Sequence, residues 1–223
     1  WEKIKEELGG IHVFDTGCGQ GNYGTRLLSA SGGILSSYTG IDMKRRKNWS
    51  ELEQKHPNFH FIESNSDDIR SFIPPQANLF VSQSAIEHFD EDLKFFEQIK
   101  EYTEKTDKPV IQIHNFPGKA ILPLYLFHGI RQYTPRTISK ITGLFGDSKF
   151  YLYGLGGNKG KMVQWKYFTW PLLILRGQAT WSRDVKKYES EVIRAIEKDM
   201  ENPSDSPIFW TLIIHSHPKN KIW

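Results

Sequence analysis

Residues 11–24 read Ile-His-Val-Phe-Asp-Thr-Gly-Cys-Gly-Gln-Gly-Asn-Tyr-Gly, and few architectures can house such a run. The apolar segment Ile11 to Phe14 predicts a buried parallel strand. Asp15 follows, then glycine at 17, 19, 21 and 24. Glycine at this density lets a backbone turn tightly and lets a ligand approach where a Cβ would otherwise stand. A helix is predicted from Asn22 to Ser31, opening directly from the loop with its N-terminal amides facing whatever binds. In an open α/β sheet a ligand sits outside the carboxyl ends of the strands, where this loop begins.

Two ligand classes use a strand, a glycine loop and a helix in this order. Gly19 to Gly24 match G-x-G-x-x-G, the dinucleotide pattern. The register argues against it, because that pattern puts its first glycine at the end of the strand, usually after an apolar residue, and here the strand ends in a carboxylate. The run Asp15-x-Gly17-x-Gly19-x-Gly21 resembles the first motif of the class I S-adenosylmethionine (SAM) methyltransferases, D/E-x-G-x-G-x-G. SAM carries a sulfonium and an α-ammonium and no pyrophosphate, so a carboxylate beside the loop suits it and would repel phosphate. The resemblance implies a Rossmann-like seven-stranded α/β sheet, order 3-2-1-4-5-7-6, flanked by helices. It also implies SAM as cofactor, S-adenosylhomocysteine (SAH) as product, and Asp15, Gly17, Gly19 and Gly21 as cofactor contacts.

Further along, Ser37 to Asp42 predicts a second strand ending in an acid. Asp42 can accept both ribose hydroxyls of an adenosine-type ligand, which serves SAM and NAD equally. Met43 follows, where an apolar side chain suits an adenine face. Trp49 to Lys55 predicts a short helix and Phe59 to Glu63 a third strand. In the family, the next loop carries an Asp that bonds the adenine amino group. Here Asn65 stands at that place, followed by Ser66 and Asp67. Asn65 can still accept from an exocyclic amine, Asp67 is the alternative, and the three residues could instead only cap the following turn.

Ala77 to Val81 predicts a fourth strand. The residues around it are similar to the family's D-x-V-x-x-x-x-x-x-E-H motif, with Asn78 in place of the Asp and Glu87-His88 closing it. Gln83 and Ser84 fall at the carboxyl end of this strand, beside the methyl group that the resemblance implies. An amphipathic helix is predicted from Asp90 to Lys105 and a fifth strand from Lys108 to His114. The resemblance covers about residues 8–115.

Beyond residue 115 the chain follows no such pattern. Ala120 to Ile130 is apolar but broken by Pro123, and reads as core, lid or membrane-surface segment. Thr134 and Pro135 open a helix to Phe145, as N-cap and first helical residue. Ser148 to Leu155 and Ile208 to Ser216 predict the last two strands. The stretch between them is too long for a hairpin turn and too apolar for disorder. It reads as an inserted lid or acceptor-recognition subdomain, residues 156–207, within a core of residues 1–155 and 208–223.

A formal net charge of +3 gives no strong nucleic-acid signal, since Lys44 to Lys47 is too short to make a basic face. The single cysteine, Cys18, excludes an internal disulfide and suits a reducing, cytoplasmic setting. No stretch is long and apolar enough to span a bilayer, and no leader is visible, although the chain opens on Trp1. His88 and His114, after strands four and five, are the candidate proton acceptors, and histidine suits that role near neutral pH. Each has an ordinary hydrogen-bonded alternative. Glu87-His88 offers too few ligands to assign a metal.

The adenine-N6, cytosine-C5 and arginine methyltransferase signatures are missing. Small-molecule, sugar or glycan, and lipid-like acceptors remain, and the expected reaction is methyl transfer to a hydroxyl of a small-molecule or sugar acceptor. A SAM-binding protein without catalysis stays open. An NAD-linked oxidoreductase lacks a Tyr-x-x-x-Lys here.

Overall fold

The structure is a computed structural model that describes residues 1–64, 68–121, 131–173 and 180–223. Seven strands form one sheet: β1 (Ile11–Thr16), β2 (Leu35–Asp42), β3 (Phe59–Glu63), β4 (Leu79–Gln83), β5 (Val110–Pro117), β6 (Lys149–Leu155) and β7 (Phe209–Ser216). Their order is β3-β2-β1-β4-β5-β7-β6, as the resemblance implied. The helices between them are α1 (Glu2–Leu8), α2 (Asn22–Ala30), α3 (Trp49–Lys55), α4 (Asp92–Thr103), α5 (Pro135–Thr142), α6 (Asn158–Gln164) and α7 (Val185–Glu201). By contacts the chain divides into two compact units. The first is Trp1–Asn115, Arg136–Tyr151 and Leu212–Trp223, and the second is Phe116–Pro135 and Leu152–Thr211.

In the first unit β1 pairs in parallel with β2 and β4, so that Asp15 lies opposite Gly40 and Val81. β1 and β4 are buried on both faces along almost their whole length, which is why they read as apolar runs rather than alternating ones. β4 and β5 each begin and end two or three residues later than the sequence implied. Asn78 explains the start of β4. Its carboxamide accepts from the His12 amide at 2.9 Å and donates to the Gly10 carbonyl at 2.7 Å, so the side chain does the pairing there.

Trp49 is fully buried at the head of α3 and stacks on Phe61, with ring centroids 5.2 Å apart. Its indole N–H donates to the Gly19 carbonyl at 2.9 Å, so a core aromatic props the glycine loop from beneath. The chain ends are tied by Glu7 on α1. Its carboxylate accepts from the Lys219 amide at 2.6 Å, from the Asn220 amide at 2.9 Å, and meets His215 Nε2 at 2.9 Å.

In the second unit α6 runs through a π-helical turn, Trp165–Thr169, into a short helix, Trp170–Leu173. Tyr188 on α7 packs against the rings of Tyr167, Phe168 and Trp181. Among the described residues no helix is long and apolar enough to cross a membrane. The apolar stretch at 120–130 lies almost wholly outside the described residues, as do residues 174–179.

Candidate cofactor site at the glycine loop

The loop leaves β1 at the carboxyl edge of the sheet and folds over the end of β2. The amides of Gly17 and Cys18 both donate to the Ile41 carbonyl, at 2.9 and 3.1 Å, and Gly21 closes a turn onto the Cys18 carbonyl at 2.9 Å. Gly17 and Gly19 have φ of +74° and +54°, the left-handed region that glycine enters without a Cβ penalty. They are needed for different reasons. A Cβ on Gly17 would lie 2.3 Å from the Ala85 Cβ, so the loop after β4 presses directly on it. A Cβ on Gly19 would meet nothing within 4 Å, so the space beside it is open to a ligand. Gly21, also at positive φ, backs onto the Phe61 ring.

Asp42, the last residue of β2, reaches into this loop. Its Oδ2 accepts from the Gly19 amide at 2.8 Å, and its Oδ1 lies 3.6 Å from the Arg46 guanidinium. The sequence placed Asp42 beside the loop, and the structure brings it onto the loop backbone. Met43 follows with 64 % of its surface exposed, so its thioether is free to lie against a ligand. Asn65, Ser66 and Asp67 lie outside the described residues.

Asp15 turns away from solvent. It is 1 % exposed, and the Tyr38 hydroxyl donates to its Oδ2. Burial pushes its carboxyl up to about 7, against the pull of the Tyr38 bond and with the help of the Asp42 charge. Cys18 is a packing residue within the core, and burial pushes its thiol well above the usual range.

The segment after β4 forms the next wall. Gln83 is exposed at the strand end, and Ser84 holds φ +48° while its amide donates to the Asn115 carbonyl at 3.2 Å. A non-glycine in that region costs about 1–2 kcal/mol, and such residues cluster where ligands bind. A 3₁₀ turn, Ile86–His88, then exposes His88 and buries Glu87. The Glu87 Oε2 has no hydrogen-bond partner among the described residues, and burial pushes its carboxyl up to about 7. The sequence reading gave Glu87 only a place in a possible metal pair. Its E-H position after strand four was the available signal, but burial is invisible in a chain of letters. Among the described residues no three His, Cys, Asp or Glu side chains are placed to hold a metal ion.

His114 is not in this wall. It is fully buried in β5, with Nδ1 2.8 Å from the Ser82 hydroxyl and Nε2 3.2 Å from the Gln112 carboxamide. The rings of Phe95 and Phe96 stand against it edge-on, and burial drops its pKa to about 3. It is a neutral core histidine, the ordinary alternative named for it, and it offers no free nitrogen to an acceptor outside the sheet.

No protein-family model matches the sequence, and no curated protein matches it. Solved structures do. Phosphoethanolamine N-methyltransferase 2 of Haemonchus contortus, in complex with S-adenosyl-L-methionine, superposes over 98% of this chain with a TM-score of 0.59 at 12% identity. A putative sarcosine dimethylglycine methyltransferase from Galdieria sulphuraria superposes over 97% at 0.59 and 13% identity, covering 83% of that chain. A SAM-dependent methyltransferase from Mesorhizobium loti superposes over 96% of both chains at 0.57 and 11% identity. The fold is that of the class I methyltransferases. The chain spans about half of the Haemonchus enzyme, 53% of its length.

On a class I methyltransferase fold the departure at Asn78 has a local explanation. It lies at the start of β4, far along the strand from the glycine loop, and its carboxamide both donates and accepts. An ionised Asp could only accept, and would leave the Gly10 carbonyl without its donor.

Proposed function

We propose that this chain is a SAM-dependent methyltransferase acting on a small-molecule acceptor in the cytoplasm. The observation that carries the reading is the Asp42 carboxylate seated on the Gly19 amide, beside a loop position where a Cβ would meet only open space. That arrangement fits an adenosine ligand whose ribose hydroxyls donate to Asp42 while the rest passes close to the Gly17–Gly21 backbone. Met43 would lie on the adenine face, Asn65, Ser66 and Asp67 would serve the adenine amine, and Gln83 would face the methionine portion. Asp15 would brace the loop from inside through Tyr38.

A bound SAM would supply a methyl group on a sulfonium, and its leaving group, the neutral thioether of SAH, would need no proton. The protein's own work is then to position the acceptor and to take a proton if the acceptor is a hydroxyl. His88 is the proposed proton acceptor, because it is exposed on the turn after β4, whereas His114 is sealed in the sheet. The proposed acceptor is a hydroxyl of a small molecule or saccharide. A second reading is methylation at nitrogen. Two of the similar structures are named for amine substrates.

Thermal unfolding with SAM, SAH, NAD or NADP tests the donor. A ligand at about 100 times its dissociation constant adds about 2.7 kcal/mol, a shift of roughly 5–11 °C for a chain of this size. SAM and SAH are expected to give it, and Asp42→Ala to diminish it. A shift with NAD or NADP alone would sink the reading. Turnover of SAM to SAH with an acceptor, lost in His88→Ala, separates an enzyme from a SAM-binding protein without catalysis.

A further inference from the structure

The second unit holds a cleft of about 920 Å³ whose described lining residues all belong to it. This is the size of a small-molecule site. The end of β6, one face of α7 and the start of β7 make its walls. Leu155, Ile196 and Met200 line it while remaining 45 %, 48 % and 75 % exposed, so a sizeable apolar surface stands in water there.

One wall of the cleft is fastened by a buried clamp. Asp199 on α7 accepts from the amides of Gly157 at 2.6 Å, Gly160 at 2.8 Å and Lys159 at 2.9 Å, which fastens the first turn of α6 to α7. A Cβ on Gly157 would fall 2.8 Å from the Asp199 carboxylate, so glycine is what permits the approach. The three amides draw the Asp199 carboxyl below the usual range, although burial alone would raise it.

Charge decides between occupants. Among the described residues the lining contains two carboxylates, Asp199 and Asp205, and no Lys, Arg or His. Asp199 is saturated by the three amides. Asp205 is exposed and has no ion-pair or hydrogen-bond partner among the described residues. An anionic amphiphile would meet one like charge and, among the described residues, no counter-charge, whereas a cation would find the Asp205 carboxylate and the aromatic side chains of Tyr188, Phe209 and Trp210 in the lining.

We propose that the second unit is a binding site for a lipophilic amine, its apolar body against Leu155, Ile196 and Met200 and its ammonium toward Asp205. This assignment goes beyond methyl transfer and does not rest on it.

Calorimetric titration of the full chain with decylamine, decanol and decanoate, the two ions below their micelle concentrations and decanol below its solubility limit, tests it. Decylamine is expected to bind saturably, about fivefold tighter than decanol and at least about tenfold tighter than decanoate. Asp205→Asn is expected to bring decylamine to the level of decanol. Ala195→Trp, which fills the cleft from α7, is expected to remove binding of all three. Met200 is so exposed that Met200→Lys keeps the fold, and the added cation is expected to put decanoate ahead of decylamine. The proposal is overturned if decylamine does not saturate, if decanoate binds the wild type as tightly as decylamine does, or if Met200→Lys leaves the order unchanged. Titrating SAH into the same samples reads the donor site separately, so either site can fail alone.

Discussion

Alanine at Gly17 and alanine at Gly19 carry the same backbone strain and different surroundings. Both positions lie at positive φ, +74° and +54°, where a Cβ costs about 1–2 kcal/mol. At Gly19 nothing else is added, because no heavy atom lies within 4 Å of the new methyl. At Gly17 the methyl would sit 2.3 Å from the Ala85 Cβ, and overpacking of that kind adds about 1–3 kcal/mol. With roughly 2–4 °C lost per kcal/mol, Gly19→Ala is expected to melt about 2–8 °C below wild type and Gly17→Ala about 4–20 °C below. Melting each protein with and without saturating SAH separates the causes. Gly19→Ala is expected to lose most of the SAH-induced shift despite its mild destabilisation, since its methyl occupies the ligand's path. Equal destabilisation by the two substitutions would refute the packing argument. A full SAH shift in Gly19→Ala would refute the claim that the open side of Gly19 is where the ligand passes.

Asp15 gives a pH signature: its carboxyl ionises near 4 when unfolded and at about 7 when folded. Rising pH between those values therefore favours unfolding, by at most roughly 4 kcal/mol. Asp15→Asn removes that slope, so urea unfolding should find the variant ahead of wild type at pH 8 and level with it near pH 4. Parallel profiles would contradict the burial argument. Glu7 works the opposite way. Burial would raise its carboxyl, but the bonds from Lys219 and Asn220 and the nearby His215 hold it low. Its contribution is present above about pH 4.5 and is lost as pH falls through the folded value. Glu7→Ala, which removes the acceptor of the Lys219 and Asn220 amides and leaves the buried His215 Nε2 without its partner, should cost about 1–3 kcal/mol in urea unfolding at pH 7. Asp199→Ala is expected to speed hydrogen exchange at the amides of Gly157, Lys159 and Gly160 and to leave the amides of Gly17 and Gly19 unchanged.

The site was legible where chemistry follows from order along the chain. The Asp15-to-Gly21 run and Asp42 stand at the ends of two strands that any parallel sheet places side by side, and the structure joins them through the Gly19 amide. Legibility ended where a residue's meaning depends on what packs against it. His88 and His114 look equivalent in sequence, each a histidine following a strand. β5 continues past His114 to Pro117 and buries it, while β4 ends before His88 and leaves it in solvent. Asp15 and Asp42 look equivalent too. Tyr38 claims the first, and the open edge of the loop keeps the second available.

The sequence by itself determined the place of the glycine loop and of the strands, and its resemblance to the class I methyltransferases implied the fold class and the strand order. Apolar period, glycine spacing and strand-end acids are local properties, and local properties survive in a string of letters. Tertiary structure alone decided which acids are buried, that Glu87 carries an oxygen without a partner among the described residues, and that Asp199 fastens one wall of the cleft. Burial and charge pairing are relations between residues distant in the chain. Gly157 and Asp199 come together only once α6 and α7 have packed.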